Sequence, residues 1–161
     1  MTDRAWLFPV VIAALVAFAV AIMGATITEI GPWYRSLAQP AWAPPDFVYA
    51  IGWTIIFALI AIAGVNAWLA TPDWREREWL IGWFALNGFL NLLWSFLFFR
   101  FHRPDWALVE VVGLWLSIAA LVILTSRRSK VAALLLLPYL LWVSFAGYLN
   151  LMVVRLNGPF P

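Results

Sequence analysis

Five long runs with almost no charge decide what this chain can fold into: Trp6–Thr28, Phe47–Ala70, Trp79–Phe99, Trp106–Ser126 and Val131–Val154. Each is close to the roughly 20 residues a helix needs to cross about 30 Å of hydrocarbon at about 1.5 Å per residue. Backbone polar groups cannot stay unpaired in lipid, so a spanning segment is either a helix or a strand of a closed barrel. The in–out alternation of barrel strands is missing from all five runs. The expected fold class is therefore an all-α integral membrane protein, a bundle of five transmembrane helices forming one domain over residues 1–161. Composition points the same way. With 65% hydrophobic and 11% charged residues, a soluble domain of this size could not hide its apolar surface.

Several function classes fall away at once. The chain has no cysteine and a single histidine, His102, so no metal centre is expected and deep axial ligation of a haem iron is disfavoured. A net charge of +2, scattered along the chain, does not suggest nucleic acid. No Gly-rich phosphate loop, HExxH helix or nucleophile elbow is present. The first run carries Arg4 before it and the cleavage-like triplet Ala19-Val20-Ala21, but its apolar stretch continues past that point, which favours a retained anchor. Five spans put the termini on opposite faces. Arg4, Arg75, Arg77, Arg127, Arg128 and Lys130 then share the N-terminal side, against Arg35, Arg100, Arg103 and Arg155, a small excess for a cytoplasmic N-terminus.

Between the first two runs lies a loop of about 18 residues containing "WYRSLAQPAWAPP", Trp33 to Pro45. Long loops in compact proteins are usually functional. Beneath the same membrane face, three spans carry unusual residues at helical spacing. Span two has Trp53 and Phe57. Span three has Asn87, Asn91 and Trp94, a stripe that Phe98 extends. Span five has Trp142, Ala146 and Asn150. Such spacings share one helix face. By rise per residue, Trp53, Asn91, Trp94 and Ala146 lie roughly 8–12 Å below the loop, and Asn87 and Trp142 roughly 18 Å below it. Taken singly, an intramembrane Asn bonds a neighbouring helix and a deep Trp packs. Coincidence of face and depth on three helices suggests a mainly apolar cavity with a few orienting polar groups. Indole walls suit a flat, polycyclic ligand. The loop then acts as a lid, its prolines restricting the backbone while Trp33, Tyr34 and Trp42 cover the mouth.

The blocks "WYRSLAQPAWAPPDFVYAIGW", "NGFLNLLWSFLFF" and "PYLLWVSFAGYLN" resemble the signature segments of the translocator protein family, the tryptophan-rich sensory proteins (TspO/MBR), in length, span number and order. The resemblance implies a homodimeric five-helix protein of the bacterial inner membrane, or of the mitochondrial outer membrane in a eukaryote. It implies binding of porphyrins, haem, sterols and benzodiazepine-type drugs under the first loop, with no obligatory cofactor. It also implies a link to tetrapyrrole regulation and to light- and oxygen-dependent breakdown of protoporphyrin. Positions matching Trp53 and Trp142 line the family's pocket and are implicated in that breakdown, which makes them the candidate catalytic pair. Positions matching Trp33, Tyr34, Pro45, Asn87, Asn91 and Ala146 belong to its ligand site or lid. The strict cholesterol-recognition pattern fails here, because Tyr148 and Arg155 are too far apart.

The remaining polar features have plainer readings. His102 sits in "RFHRPD" as a solvated interfacial residue on the lid face. Glu110 is the only charge inside a span. It is either a transporter-type carboxylate or a residue close enough to the membrane surface to reach headgroups or Arg103. Ala13, Ala17, Ala21 and Ala25 form a small-residue row for close helix approach, within the monomer or across a dimer. "DWREREW" (Asp73–Trp79) reads as a solvated helix start, and "RRSK" (Arg127–Lys130) as a turn near anionic lipid. Three functions compete: a tetrapyrrole-binding sensor or carrier, a photo-oxidative porphyrin-degrading enzyme, and a proton-coupled exporter using Glu110.

Overall fold

The computed structural model describes residues 6–161, so Arg4 lies outside the described residues. No strand forms among them. The helices are α1 (Leu7–Ile27), α2 (Pro32–Ser36), α3 (Asp46–Ala70), α4 (Trp74–Ser95), α5 (Pro104–Ser126) and α6 (Lys130–Asn157). All but α2 are long and apolar enough to cross a membrane, and α4 needs its continuation, a π-helical turn over Phe96–Arg100.

The helices outrun the apolar runs at their ends because the sequence caps them in water. Asp73 accepts from the Glu76 N–H at 3.0 Å, so α4 begins inside the charged "DWREREW" segment rather than at Trp79. Ser129 accepts from the Ala132 N–H at 3.1 Å and starts α6. Pro32 and Pro104 occupy the first turns of α2 and α5, where the missing N–H has no helical partner to lose. On the face away from the loop, Arg128 pairs with Glu76, joining the α5–α6 turn to α4. Both side chains are about half exposed, so the pair adds little to stability.

Packing runs around a ring: α1 on α3, α3 on α6, α6 on α5, α5 on α4, and α4 back on α1. The half away from the loop is dense. Ala63 and Ala67 of α3, Ile118 and Leu121 of α5, and Ala132 and Leu136 of α6 are all buried there. Small residues let these helix backbones approach, as in other membrane bundles. Helix α1 is peripheral, with Phe8, Leu15, Val16 and Phe18 open to lipid and only Pro9 buried. Of the alanine row, Ala13, Ala17 and Ala21 lie on its less exposed side, toward α3 and α4.

A polar knot crosses the middle of the bundle. Asn87 Nδ2 donates to Ser117 Oγ at 2.9 Å. The Tyr139 hydroxyl donates to Asn87 Oδ1 at 3.1 Å, and Asn91 Nδ2 donates to the same hydroxyl at 3.3 Å. Four buried side chains thus tie α4, α5 and α6 together. Interhelical hydrogen bonds in lipid average about 0.6 kcal/mol, with larger values near ~1.7 kcal/mol. Tyr139→Phe keeps the buried ring and removes two of the bonds. It should lower unfolding stability in detergent by about 1 kcal/mol. Asn66→Leu, which removes only a bond within α3 to the Ile62 carbonyl, should be close to neutral in the same denaturation experiment.

Candidate functional site

In the loop-side half the ring opens into a cavity of about 410 Å³. That lies within the roughly 300–1,000 Å³ typical of small-molecule sites. Residues of α1, α2, α3, α4 with its π turn, and α6 all reach its wall, together with the loop residue Gln39. Helix α1 contributes only small residues, Ala21, Gly24 and Ala25, and the segment after it adds Thr28 and Ile30. The opposite walls are aromatic: Trp53 and Phe57 from α3, Trp94 and Phe99 from α4 and its turn, Trp142 and Phe145 from α6.

The two candidate catalytic tryptophans touch. The rings of Trp53 and Trp142 meet edge to face, 6.2 Å between centroids at 87°, and Trp53 also stacks on Phe57 at 5.6 Å. Rise counted from each helix end puts Trp53 roughly 8–12 Å and Trp142 roughly 18 Å below the loop. Rise along two separate helices leaves their mutual register open, and here Gly52 sets it. A Cβ on Gly52 would lie 2.3 Å from Cη2 of Trp142. Only a residue without a side chain leaves the notch in α3 that receives the indole.

The loop is ordered by contacts at both ends. Trp33 on α2 stacks on His102 at 4.1 Å and meets Phe98 edge to face at 6.1 Å. Tyr34 leans on Phe99 at 5.6 Å. Burial, with the Asp46 carboxylate adding to it, raises the Tyr34 hydroxyl above the ordinary phenol range, so it stays a neutral donor at the mouth. Further along, Trp42 stacks on Tyr148 at 5.4 Å. Asn157 grips the backbone of Ala38, accepting its N–H at 2.7 Å and donating to its carbonyl at 2.9 Å. Arg100, at the end of the π turn, donates to the Thr26 carbonyl at the close of α1 (3.1 Å) and pairs with Glu29 at 3.4 Å. π-helical turns are uncommon and frequent at functional sites. This one brings the adjacent residues Phe98 and Phe99 to the wall beside Trp94 and Ser95.

Of the residues expected at the site, Tyr34, Trp53, Phe57, Asn91, Trp94, Trp142, Ala146 and Asn150 line the cavity. Three stand off its wall. Asn87 lies one turn deeper than Asn91, and its amide is used by Ser117 and Tyr139. Trp33 turns outward onto His102 and Phe98, serving the loop's attachment. Pro45 is the residue before α3, where its carbonyl accepts from the Val48 N–H at 3.0 Å. Trp42 likewise packs on α6 beside the cavity. His102 is exposed, but it stacks on the loop rather than standing free in solvent, and it takes a left-handed backbone with φ 55°. Glu110 does not reach Arg103. Both of its oxygens are covered and accept no hydrogen bond, while Arg103 is held by Asp105 and donates to the Pro161 carbonyl at 3.1 Å. Nor does Glu110 line the cavity.

The sequence reading passed over Gln39, Tyr49, Ser95 and the small residues of α1 at the wall. For α1 a signal existed in the alanine row, whose last members Ala21 and Ala25 face the cavity. Gln39 carried none. The indole nitrogens of Trp94 and Trp142 and the Asn150 oxygen are buried without partners, while Asn150 Nδ2 donates to the Pro104 carbonyl at 2.7 Å. Polar atoms of this kind are normally paired. All three residues line the cavity, which suits a site with orienting polar groups inside an aromatic shell.

Fold and cavity together define a polytopic membrane protein with an aromatic pocket under an extramembrane loop. The TspO/MBR family model matches residues 5–156. The chain is 41% identical to a tryptophan-rich protein TspO of Chlorobaculum tepidum, over 86% of this chain and 89% of that one. It is 35% identical to a protein CrtK of Rhodobacter capsulatus, over 86% and 88%. It is 33% identical to a translocator protein of Sus scrofa, over 78% and 75%. The chain belongs to the TspO/MBR family.

The Gly52 notch gives a direct test. Gly52→Ala should push the Trp142 ring out of its seat, at a cost of about 1–3 kcal/mol for overpacking. Near-ultraviolet circular dichroism should register the loss of the Trp53–Trp142 contact while far-ultraviolet helicity is retained. An unchanged near-ultraviolet spectrum would show that the indole does not depend on the notch.

Proposed function

We propose that this protein binds tetrapyrroles, protoporphyrin and haem among them, and other flat hydrophobic polycyclic ligands in the cavity under the loop, and that it serves tetrapyrrole sensing, transport or regulation. The observation that carries this reading is the convergence of Trp53, Trp94 and Trp142 on one cavity, closed at its mouth by Tyr34. Indole faces stack on extended ring systems, and two of these rings, Trp53 and Trp142, stand at 87° to one another. The names of relatives, tryptophan-rich sensory protein and translocator protein, are in keeping with it. We take the bacterial inner membrane as the setting, since the Chlorobaculum tepidum and Rhodobacter capsulatus proteins, at 41% and 35% identity, match this chain more strongly than the Sus scrofa protein at 33%. A homodimer is part of the same proposal.

Binding is tested by titrating purified protein with protoporphyrin in the dark and following intrinsic fluorescence. Quenching should be saturable. Ala146→Phe places a ring where a small residue lines the cavity, and it should weaken binding about tenfold or more, as overpacking of about 1–3 kcal/mol implies. Unchanged affinity in this variant would put the ligand elsewhere.

A second reading, light-dependent oxidative degradation of bound protoporphyrin, is favoured by the edge-to-face contact of Trp53 with Trp142. An excited porphyrin against this pair can draw an electron from an indole and pass it to oxygen as superoxide. The indole pair then recovers an electron from the macrocycle, and superoxide combines with the resulting porphyrin radical cation, so the pigment is oxidised and the indoles are restored. Molecular oxygen is the co-reactant, and the pigment supplies the photochemistry while the chain orients it. Trp53→Phe and Trp142→Phe should keep porphyrin affinity within about a factor of three, because most of the apolar area remains. Both should slow the decay of porphyrin absorbance under fixed light, at matched bound fractions and against a dark control. A double variant that bleaches porphyrin as fast as the unmodified protein removes these residues from any such chemistry.

A further inference from the structure

We propose that Gln39 determines ligand specificity by pairing its side-chain amide with a ligand that presents an N–H and a carbonyl side by side, as a lactam does. The proposal rests on the cavity being a site for flat hydrophobic ligands and adds the polar chemistry that selects among them.

Both polar atoms of the Gln39 side chain, Nε2 and Oε1, are covered and have no hydrogen-bond partner, and the residue forms part of the cavity wall. A covered amide with neither its donor nor its acceptor used costs free energy that a well-matched ligand recovers. Gln39 is also held in place. Its neighbour Ala38 is gripped through both backbone groups by Asn157, at 2.7 and 2.9 Å. On its other side Pro40 is buried and accepts from the Ala43 N–H at 2.9 Å, closing a turn. Such preorganisation lowers the entropy lost when the side chain engages a ligand.

The pairing has a template one residue away. Asn157 and Ala38 form a two-point contact in which a side-chain amide meets an adjacent N–H and C=O. A lactam offers Gln39 the same donor and acceptor together and satisfies both of its atoms at once.

Charge decides against an anionic head group. Among the described residues lining the cavity, Asp46 is the only formal charge, and no Lys, Arg or His is there to balance a carboxylate. Burying an anion beside Asp46 costs both desolvation and repulsion. A purely apolar ligand leaves Gln39 as it is. An uncharged head with adjoining donor and acceptor is the chemistry that remains.

The test uses the full chain in lipid nanodiscs and three planar tricyclic probes, with affinities read by isothermal titration calorimetry. The probes are phenanthridin-6(5H)-one, its N-methyl derivative, which lacks the donor, and phenanthridine, which lacks the lactam. The lactam should bind at least about tenfold more tightly than the N-methyl compound. Gln39→Met should bring that ratio close to one while leaving phenanthridine affinity within about threefold. The ratio is taken within one protein, so a loosened loop lowers both affinities and leaves it unchanged. Equal binding of the two compounds, a preference that survives in Gln39→Met, or failure of the lactam to bind overturns the proposal. Saturable protoporphyrin quenching in the same preparation would confine that failure to Gln39. Loss of both kinds of binding would take the cavity reading with it.

Discussion

Apolar side chains gain almost nothing by leaving lipid for protein, and this one constraint shapes the bundle. Helices in a bilayer associate through close packing and interhelical hydrogen bonds instead. In this chain the two devices are concentrated in the same place. Alanines on α3 and α6 bring backbones together in the dense half, and the Asn87–Ser117–Tyr139–Asn91 knot locks α4, α5 and α6 at mid-depth. Above the knot the Asn150 amide still ties α6 to the Pro104 carbonyl of α5, while the other helices part. The helices are already fixed below, and the loop-side half can stay open around a cavity.

Asn91 belongs to both halves. Its Nδ2 donates downward to Tyr139, while the residue itself forms part of the cavity floor. The site is therefore mounted on the element that holds the bundle together, and the orientation of its floor is fixed by buried bonds. Its roof is mounted differently. Trp33, Tyr34 and Trp42 hold the loop through ring contacts, with directional contacts from Asn157 to the Ala38 backbone and from Arg100 to Glu29. Stacking tolerates sliding better than a hydrogen-bond knot does. A rigid floor under a more compliant roof is the arrangement expected where a large flat ligand must pass the mouth.

Much of this was legible from residue spacing, for a physical reason. Helix periodicity places Asn91, Trp94 and Phe98 on one face whatever their neighbours do, and apolar runs of bilayer length announce spans. What spacing cannot supply is register between helices. Gly52 drew no attention, although it is the notch that receives Trp142 and brings that ring against Trp53. Asn87 and Asn91 share a stripe and looked equivalent, but one turn of depth separates a bond inside the knot from a place on the cavity wall. The π turn has no sequence signature in "FLFFR", and Gln39 is a common polar residue in a polar-tolerant loop. Glu110 seemed within reach of Arg103 by count along the chain. Asp105 lies nearer to that arginine and takes it.

The charges around the cavity bear on how a tetrapyrrole can enter it. The macrocycle is broad and apolar, but in protoporphyrin and haem it carries two carboxylates on one edge. Among the described residues the wall offers indoles for such a ring and only the Asp46 carboxylate as a formal charge, so the acid edge would have no cationic partner inside. Asp46 begins α3 at the mouth, with Tyr34 beside it, and the cavity's acidic group is therefore at its outer end. Two ionised propionates cannot be buried deep among Trp53, Trp94 and Trp142 without large desolvation costs. They are best left in the interfacial region, where water and the exposed guanidinium of Arg35 on α2 are available. Under the proposed function the ring would enter edge first, acid side outward, leaving its uncharged edge to the indole pair.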